Sequence, residues 1–154
     1  IQALDLTFRK LWQHGGKGLS ILKQEIEKDL LAISTKESAK MAKQLMPYLT
    51  DLHDVIVHLS EVIQTEKSAT LGGNAQAVMN VVSTIVVSWI WLRQASKAEK
   101  LHETSTNQQK QDFYQGKIQA AKYFMAWELP SITRDIQILK NNNDVCTNTQ
   151  PQWF

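Results

Sequence analysis

Apolar residues recur at steps of three and four along this chain, and no stretch of strand length alternates apolar with polar positions. That period belongs to helices with one buried face. The first segment, about Ile1 to Trp12, carries Ile1, Leu4, Leu6, Phe8 and Leu11 in helical pattern. It stops at Gly15-Gly16, where a left-handed C-cap costs little. A second helix starts near Lys17 and aligns Leu19, Leu22, Ile26, Leu30 and Ile33. Ser34 to Glu37 then has capping-box spacing: Ser34 accepts from the Glu37 N–H and the Glu37 carboxylate reaches back. In the third helix, Leu45, Tyr48, Leu52, Val55, Leu59 and Val62 form the clearest stripe, widened by Leu49, Ile56 and Ile63. Pro47 removes one backbone bond there and is expected to kink it.

The fourth helix is expected from about Asn74 to His102, with Val78, Val81, Ile85, Ser88, Leu92 and Ala95 along one line. Its first half is apolar nearly all round and its second half is charged, so one end reads as central and the other as emerging into water. The last long helix reads from Asn107, with Thr106 to Gln109 as a second capping box, to about Leu129. It offers two lines, Phe113-Ala120-Phe124-Trp127 and Tyr114-Ile118-Ala121-Met125. Pro130 ends or kinks it, Ile132, Ile136 and Leu139 extend the helical pattern, and Asn141 to Asn143 stop it. Gly116 lies mid-helix, where it costs about 1 kcal/mol relative to Ala. With Ala120 and Ala121 it reads as a small-residue strip at a close helix crossing. The prediction is an all-α fold, an antiparallel helical bundle of four to five helices. One domain covers residues 1–140, and Val145 to Phe154 reads as part of a tail, 141–154.

Composition sharpens this picture mainly by exclusion. Lys and Arg number 17 against 15 Asp and Glu, a formal charge of +2, and no run of cations stands out as a nucleic-acid footprint. One cysteine, Cys146, forms neither an internal disulfide nor a thiolate cage. Ile1 is not followed by a charged n-region and a small-residue cleavage site, so the opening does not read as a signal peptide. The uncharged run Leu71–Leu92 is long enough to raise a membrane span. It holds Asn74, Gln76, Asn80, Ser83, Thr84 and Ser88, which are costly facing lipid. A buried bundle helix and no membrane span is the expectation.

Candidate chemistry is sparse. Glu99 and His102 make one Glu-x-x-His pair, whereas a di-iron carboxylate site needs two such pairs and two further glutamates. A solvated helix end is the expected setting for both. His53 and His58, five apart, diverge around their helix, and Asp54 with His58 has ordinary i,i+4 contact spacing. Gly15-Gly16-Lys17-Gly18 lacks the phosphate-loop pattern and follows a helix, so it reads as a helix–helix turn. Trp12, Trp89, Trp91, Trp127 and Trp153 read as core or interface aromatics. No catalytic, cofactor-binding or metal-ligating residue is assigned.

Three stretches carry a resemblance. Phe113-Tyr114-Gln115-Gly116-Lys117-Ile118, continuing through Ala120-Ala121-Lys122-Tyr123-Phe124 to Glu128-Leu129-Pro130, resembles the C-terminal end of large bacterial acyl-CoA dehydrogenases with an extra helical domain. These include the 3-methylmercaptopropionyl-CoA dehydrogenase-like group. Ser88 to Ala95 resembles the preceding helix of that domain. Ile1-Gln2-Ala3-Leu4-Asp5-Leu6, with Arg9-Lys10 and Gly15-Gly16, is similar to the segment after the family's Y-E-G-T-x-x-I-Q signature.

The resemblance implies that residues 1–14 are a junction helix following a catalytic body of the same polypeptide. That body would hold the FAD and the signature glutamate that abstracts the α-proton of the acyl-CoA. Of the signature only Ile1 and Gln2 stand here, so the chain itself binds no cofactor. The implied role is structural: covering the body, assisting a homo-oligomer, or shaping the substrate entrance, in a cytoplasmic enzyme. The competing expectation is a free-standing helical module that binds partner helices.

Overall fold

The architecture is built around one central helix. In a computed structural model, which describes residues 1–65 and 68–154, the principal helices are α1 (Gln2–Phe8), α2 (Lys17–Ala32), α3 (Lys36–Val62), α4 (Ser68–Gly73), α5 (Ala75–Thr104), α6 (Gln108–Tyr123), α7 (Thr133–Lys140) and α8 (Val145–Asn148). No strand occurs among the described residues. The fold is an all-α antiparallel bundle, with α5 packed against α1, α3, α6 and α7. The predicted stripes of the long helices fill the core. Val78, Val81, Ile85, Ser88, Leu92 and Ala95 of α5 are all buried. They meet Leu45, Leu49, Leu52, Val55, Leu59 and Val62 of α3 and Ile136 and Leu139 of α7 in one apolar cluster. Ile26 and Leu30 anchor α2, and Ala121 and Met125 anchor the end of α6 and the turn beyond it.

Several boundaries differ from the periodicity, each for a local reason. The opening helix ends at Phe8, not near Trp12. The chain then tightens through a 3₁₀ segment in which His14, Gly15 and Gly16 all have positive φ. Trp12 closes that turn by donating its indole N–H to the Thr7 carbonyl at 2.6 Å. As expected, α3 runs through Pro47 and continues to Val62. Pro47 and Lys43, the residue whose carbonyl loses its partner, are both exposed, so water can satisfy that group. After Tyr123 the last long helix widens into a π-helical turn, Phe124–Glu128, and then tightens to 3₁₀ geometry around Pro130 before α7 begins. Of the two lines on α6, Ile118, Ala121 and Met125 are buried, whereas Phe113 and Trp127 are exposed.

Neither predicted capping box forms. Helix α6 is capped one residue later than expected, by Asn107, whose side-chain oxygen accepts from the Lys110 N–H at 3.0 Å. At α3 the N-cap is Thr35, with no side-chain bond to the helix start. The Glu37 carboxylate turns away to Lys122 of α6 and to Lys40. The cap is supplied in trans. Glu99 of α5 is buried, and its Oε1 accepts from the Ser38 backbone N–H at 2.9 Å. An acceptor at a helix N-terminus satisfies an orphan donor, while the second carboxyl oxygen of Glu99, Oε2, is buried with no partner. The expected solvated setting for Glu99 is therefore wrong: one face of the C-terminal half of α5, with Ala95, Ser96 and Ala98, is buried, while Arg93, Lys97, Lys100 and Glu103 reach water as expected.

Gly116 is not at a close crossing. It is exposed, and a Cβ built there meets nothing within 4 Å. The close approach lies at Gly73 instead, where a Cβ would stand 3.1 Å from the Thr147 Cγ2 of α8. The polar residues of the 71–92 run are accommodated as the cost argument required. Asn74 donates to the Asn143 carbonyl, Asn80 to Asp135, and Ser88 to the Thr84 carbonyl. Helix α5 is long and apolar enough to cross a bilayer by length and composition, and 39% of its most apolar window is buried within the bundle.

Three outcomes follow from these placements. Gly116→Ala is expected to raise stability by about 0.5–1 kcal/mol in thermal or urea unfolding, because helix entropy improves with no clash. Glu99→Ala is expected to cost about 1–3 kcal/mol by orphaning a buried N–H, with Glu99→Gln losing less because an amide oxygen still accepts. The Lys122 and Lys40 ammonium groups, in that order of weight, lower the Glu37 carboxyl from 4.5 to about 2. A carboxylate depressed in the fold stabilises it above its unfolded pKa, and that contribution is lost as pH falls from about 4.5 toward 2. An acid titration of Glu37→Gln should therefore show a shallower decline over that window than the parent chain does.

Candidate functional site

Several clefts open on the bundle, one of about 610 Å³ between α2 and α3 lined mostly by apolar residues, and two others differ in chemistry. The larger, about 680 Å³, runs between the end of α2, the C-terminal half of α5 and the start of α6. Arg93, Lys97 and Lys100 line it from α5, spaced i, i+4 and i+7 and therefore stacked on one helical face. Phe113, Tyr114 and Lys117 line it from α6. The buried small residues Ser96 and Ala98 leave room on the α5 side. The one carboxylate in the lining, Asp29, is already engaged: it accepts from the Trp89 indole at 2.7 Å and pairs with Arg93 at 3.3 Å. Arg93 also lies 5.2 Å from the Trp89 ring centroid. Lys117 sits between two aromatic rings, 5.9 Å from Trp91 and 5.6 Å from Phe113. Phe113 and Tyr114 meet edge to face, and Phe113 keeps 60% of its surface in water.

The second cleft, about 470 Å³, separates α3 from α2 and the turn before it. Leu11, Trp12, Leu19, Leu49, Leu52 and Ile56 make its walls, with Lys23 and His53 as its ionisable groups. Lys23 faces Glu27 at 3.7 Å.

The residues weighed for chemistry do not converge. No group of three or more His, Cys, Asp or Glu within metal-binding reach exists among the described residues. Glu99 is committed to Ser38, and His102 is half-buried beside it in sequence without completing any ligand set. His53 is exposed, whereas His58 is half-buried with its Nε2 lacking a partner. The Asp54–His58 contact expected from spacing is replaced by a longer-range arrangement. Lys140 of α7 pairs with Asp51 at 2.6 Å and approaches Asp54 at 3.8 Å, and the Asp51 carboxylate holds the Lys140 ammonium above its ordinary pKa. The Gly15-Gly16 segment is the helix–helix turn expected, in left-handed conformation. Cys146 is free and exposed.

Exposed apolar groups are spread over several helices, Leu31, Val57, Ile90 and Phe113 among them, and include two groupings. On α1 and just before it, Ile1, Leu4 and Phe8 are exposed along one side. At the π-helical turn, Tyr123 and Trp127 stack with centroids 6.2 Å apart and planes 19° from parallel, 55% and 71% exposed. Of the five tryptophans, Trp12, Trp89 and Trp91 pack against the core, while Trp127 and Trp153 face outward.

A flavin does not fit these surfaces. The isoalloxazine of a flavin needs a slot that encloses a three-ring system. The cationic groove is open along its length, and the apolar cleft offers a single lysine, itself facing a glutamate.

The chain is similar to the broad-specificity linear acyl-CoA dehydrogenase FadE5 of Mycobacterium tuberculosis, 23% identical over 153 residues. The match covers 94% of this chain and 25% of that protein, so the chain spans about a quarter of its relative's length. The family described as acetyl-CoA dehydrogenase C-terminal like matches residues 22–150, most of the bundle. This chain belongs to that C-terminal-like family of the acyl-CoA dehydrogenases.

Proposed function

We propose that the chain is the C-terminal helical domain of a FAD-dependent acyl-CoA dehydrogenase, with a structural role beside the catalytic body of the same polypeptide. The observation that carries this reading is the family match over residues 22–150 on a chain that spans a quarter of an acyl-CoA dehydrogenase. In this reading the proton-abstracting base and the flavin belong to the other three quarters. FAD, when bound there, accepts the hydride. This domain covers that body, supports a homo-oligomer, or shapes the entrance for the acyl-CoA, in a cytoplasmic enzyme. Residues 1–14 are the junction, residues up to 140 the bundle and 141–154 its tail. The exposed side of α1 supports the assignment: Ile1, Leu4 and Phe8 present apolar surface of the kind that meets a partner. The buried stripe of α5 supports a central bundle helix in place of a membrane span.

The test compares the chain with its parent. Incubated with excess FAD and desalted, the 154-residue chain should retain no flavin absorbance and reduce no dye with acyl-CoAs, while the parent does both. In the parent, Leu4→Glu with Phe8→Glu should lower the melting temperature, reflecting roughly 1–3 kcal/mol of stability lost with the apolar burial. Stoichiometric flavin or turnover in the isolated chain would refute the reading. So would a coding frame whose codons just before Ile1 lack the Y-E-G-T signature, which would favour a free-standing interaction module.

A further inference from the structure

We propose that the groove between α2, α5 and α6 binds a nucleotide, with its base against Phe113 and Tyr114 and its phosphates on Lys97, Lys100 and Lys117. The proposal uses only this chain's residues and stands without the reading above. Elsewhere on the surface Lys28 pairs with Glu25, Lys40 with Glu37 and Lys140 with Asp51, while Lys17, Lys36, Lys43 and Lys110 have no ion pair among the described residues. What sets the groove apart is that it gathers several cations in one furrow. Four cations converge on a single carboxylate, and Asp29 is already held by Trp89 and Arg93. Lys97 and Lys100 have no ion-pair partner among the described residues, and Lys117 touches only ring faces. Three ammonium groups facing one furrow make a site for a multiply charged anion.

The aromatic groups select among anions. Inorganic phosphate has no use for Phe113, whose ring is more than half exposed beside the cations. A base stacked on that ring removes apolar surface from water and adds ring–ring attraction. The α5 cations extend about 10 Å along the helix from Arg93 to Lys100, at 1.5 Å per residue, which is the reach of a short phosphate chain and its sugar. A nucleic-acid strand would ask for cations continuing beyond the furrow, whereas the whole chain carries only +2.

Calorimetric titration of the 154-residue chain with ADP, adenosine and pyrophosphate tests this. ADP should bind, and adenosine and pyrophosphate should each bind at least about tenfold more weakly, because each lacks one half of the recognition. Lys97→Glu with Lys100→Glu, and separately Phe113→Ala, should each weaken ADP by about tenfold or more while circular dichroism stays unchanged, since all three side chains are at the surface. Absence of ADP binding overturns the proposal. So does equal affinity for ADP and pyrophosphate that survives Phe113→Ala, which marks a mere counter-charge surface. An RNA oligomer that binds while ADP fails to compete overturns it in favour of a nucleic-acid surface.

Discussion

The first half of α5 has too little polar surface to face water on more than a narrow side, and the bundle is the solution to that constraint. Each large apolar side chain buried along it contributes roughly 1.5–3 kcal/mol, so helices gather on several of its sides. The polar residues scattered through the same helix cannot then be left bare, because an unpaired buried polar group costs about as much as a buried apolar one contributes. Their partners are the neighbours themselves. Asn74 reaches the segment before α8, Asn80 reaches α7, Trp89 reaches α2, and Glu99 reaches the start of α3. The residues that make a lipid-facing span expensive are also those that fasten the surrounding elements in register. Burial gathers the helices around α5, and these bonds choose which turn of each one sits where.

That division explains what could be read from the chain alone. The stripes of α2, α3 and α5 were legible because periodicity reports how much apolar surface a helix must hide, whatever hides it. Gly116 was misread because helix propensity registers a missing side chain but says nothing of what lies outside it; the space there is solvent. The Ser34–Glu37 box failed because local spacing competes with charges that folding brings close. Lys122 draws the Glu37 carboxylate away, and Glu99, 61 residues from Ser38 in sequence, takes the vacated role. The choice between the two lines of α6 was open for the same reason: both had helical period, and only the position of α5 decides which one faces inward.

The surfaces of the bundle carry its most distinctive chemistry. Those surfaces are of distinct kinds. The side of α1 with Ile1, Leu4 and Phe8 is apolar. The stacked pair Tyr123 and Trp127 sits where the helix widens to π geometry, a distortion that re-aims side chains and is frequent at functional positions. Neither surface resembles the mixed-charge face that a helix presents simply to remain soluble.

The cationic groove belongs with these surfaces and depends on the α5–α6 hairpin. A three-residue connection, 105–107, returns α6 antiparallel to α5. That register sets Lys117 beside Trp91 and Phe124 against the same ring. Residues 93–100 therefore face residues 113–117, and cations that read in sequence as a solvated helix end become one wall of a furrow. On α5 alone, Lys97 and Lys100 stand i,i+3, where like charges oppose helix stability by a few tenths of a kcal/mol. The hairpin increases that penalty by adding Lys117 without adding a carboxylate. Uncompensated charge beside an exposed aromatic ring lowers the stability of the free fold, and an anionic ligand in the groove would relieve that repulsion.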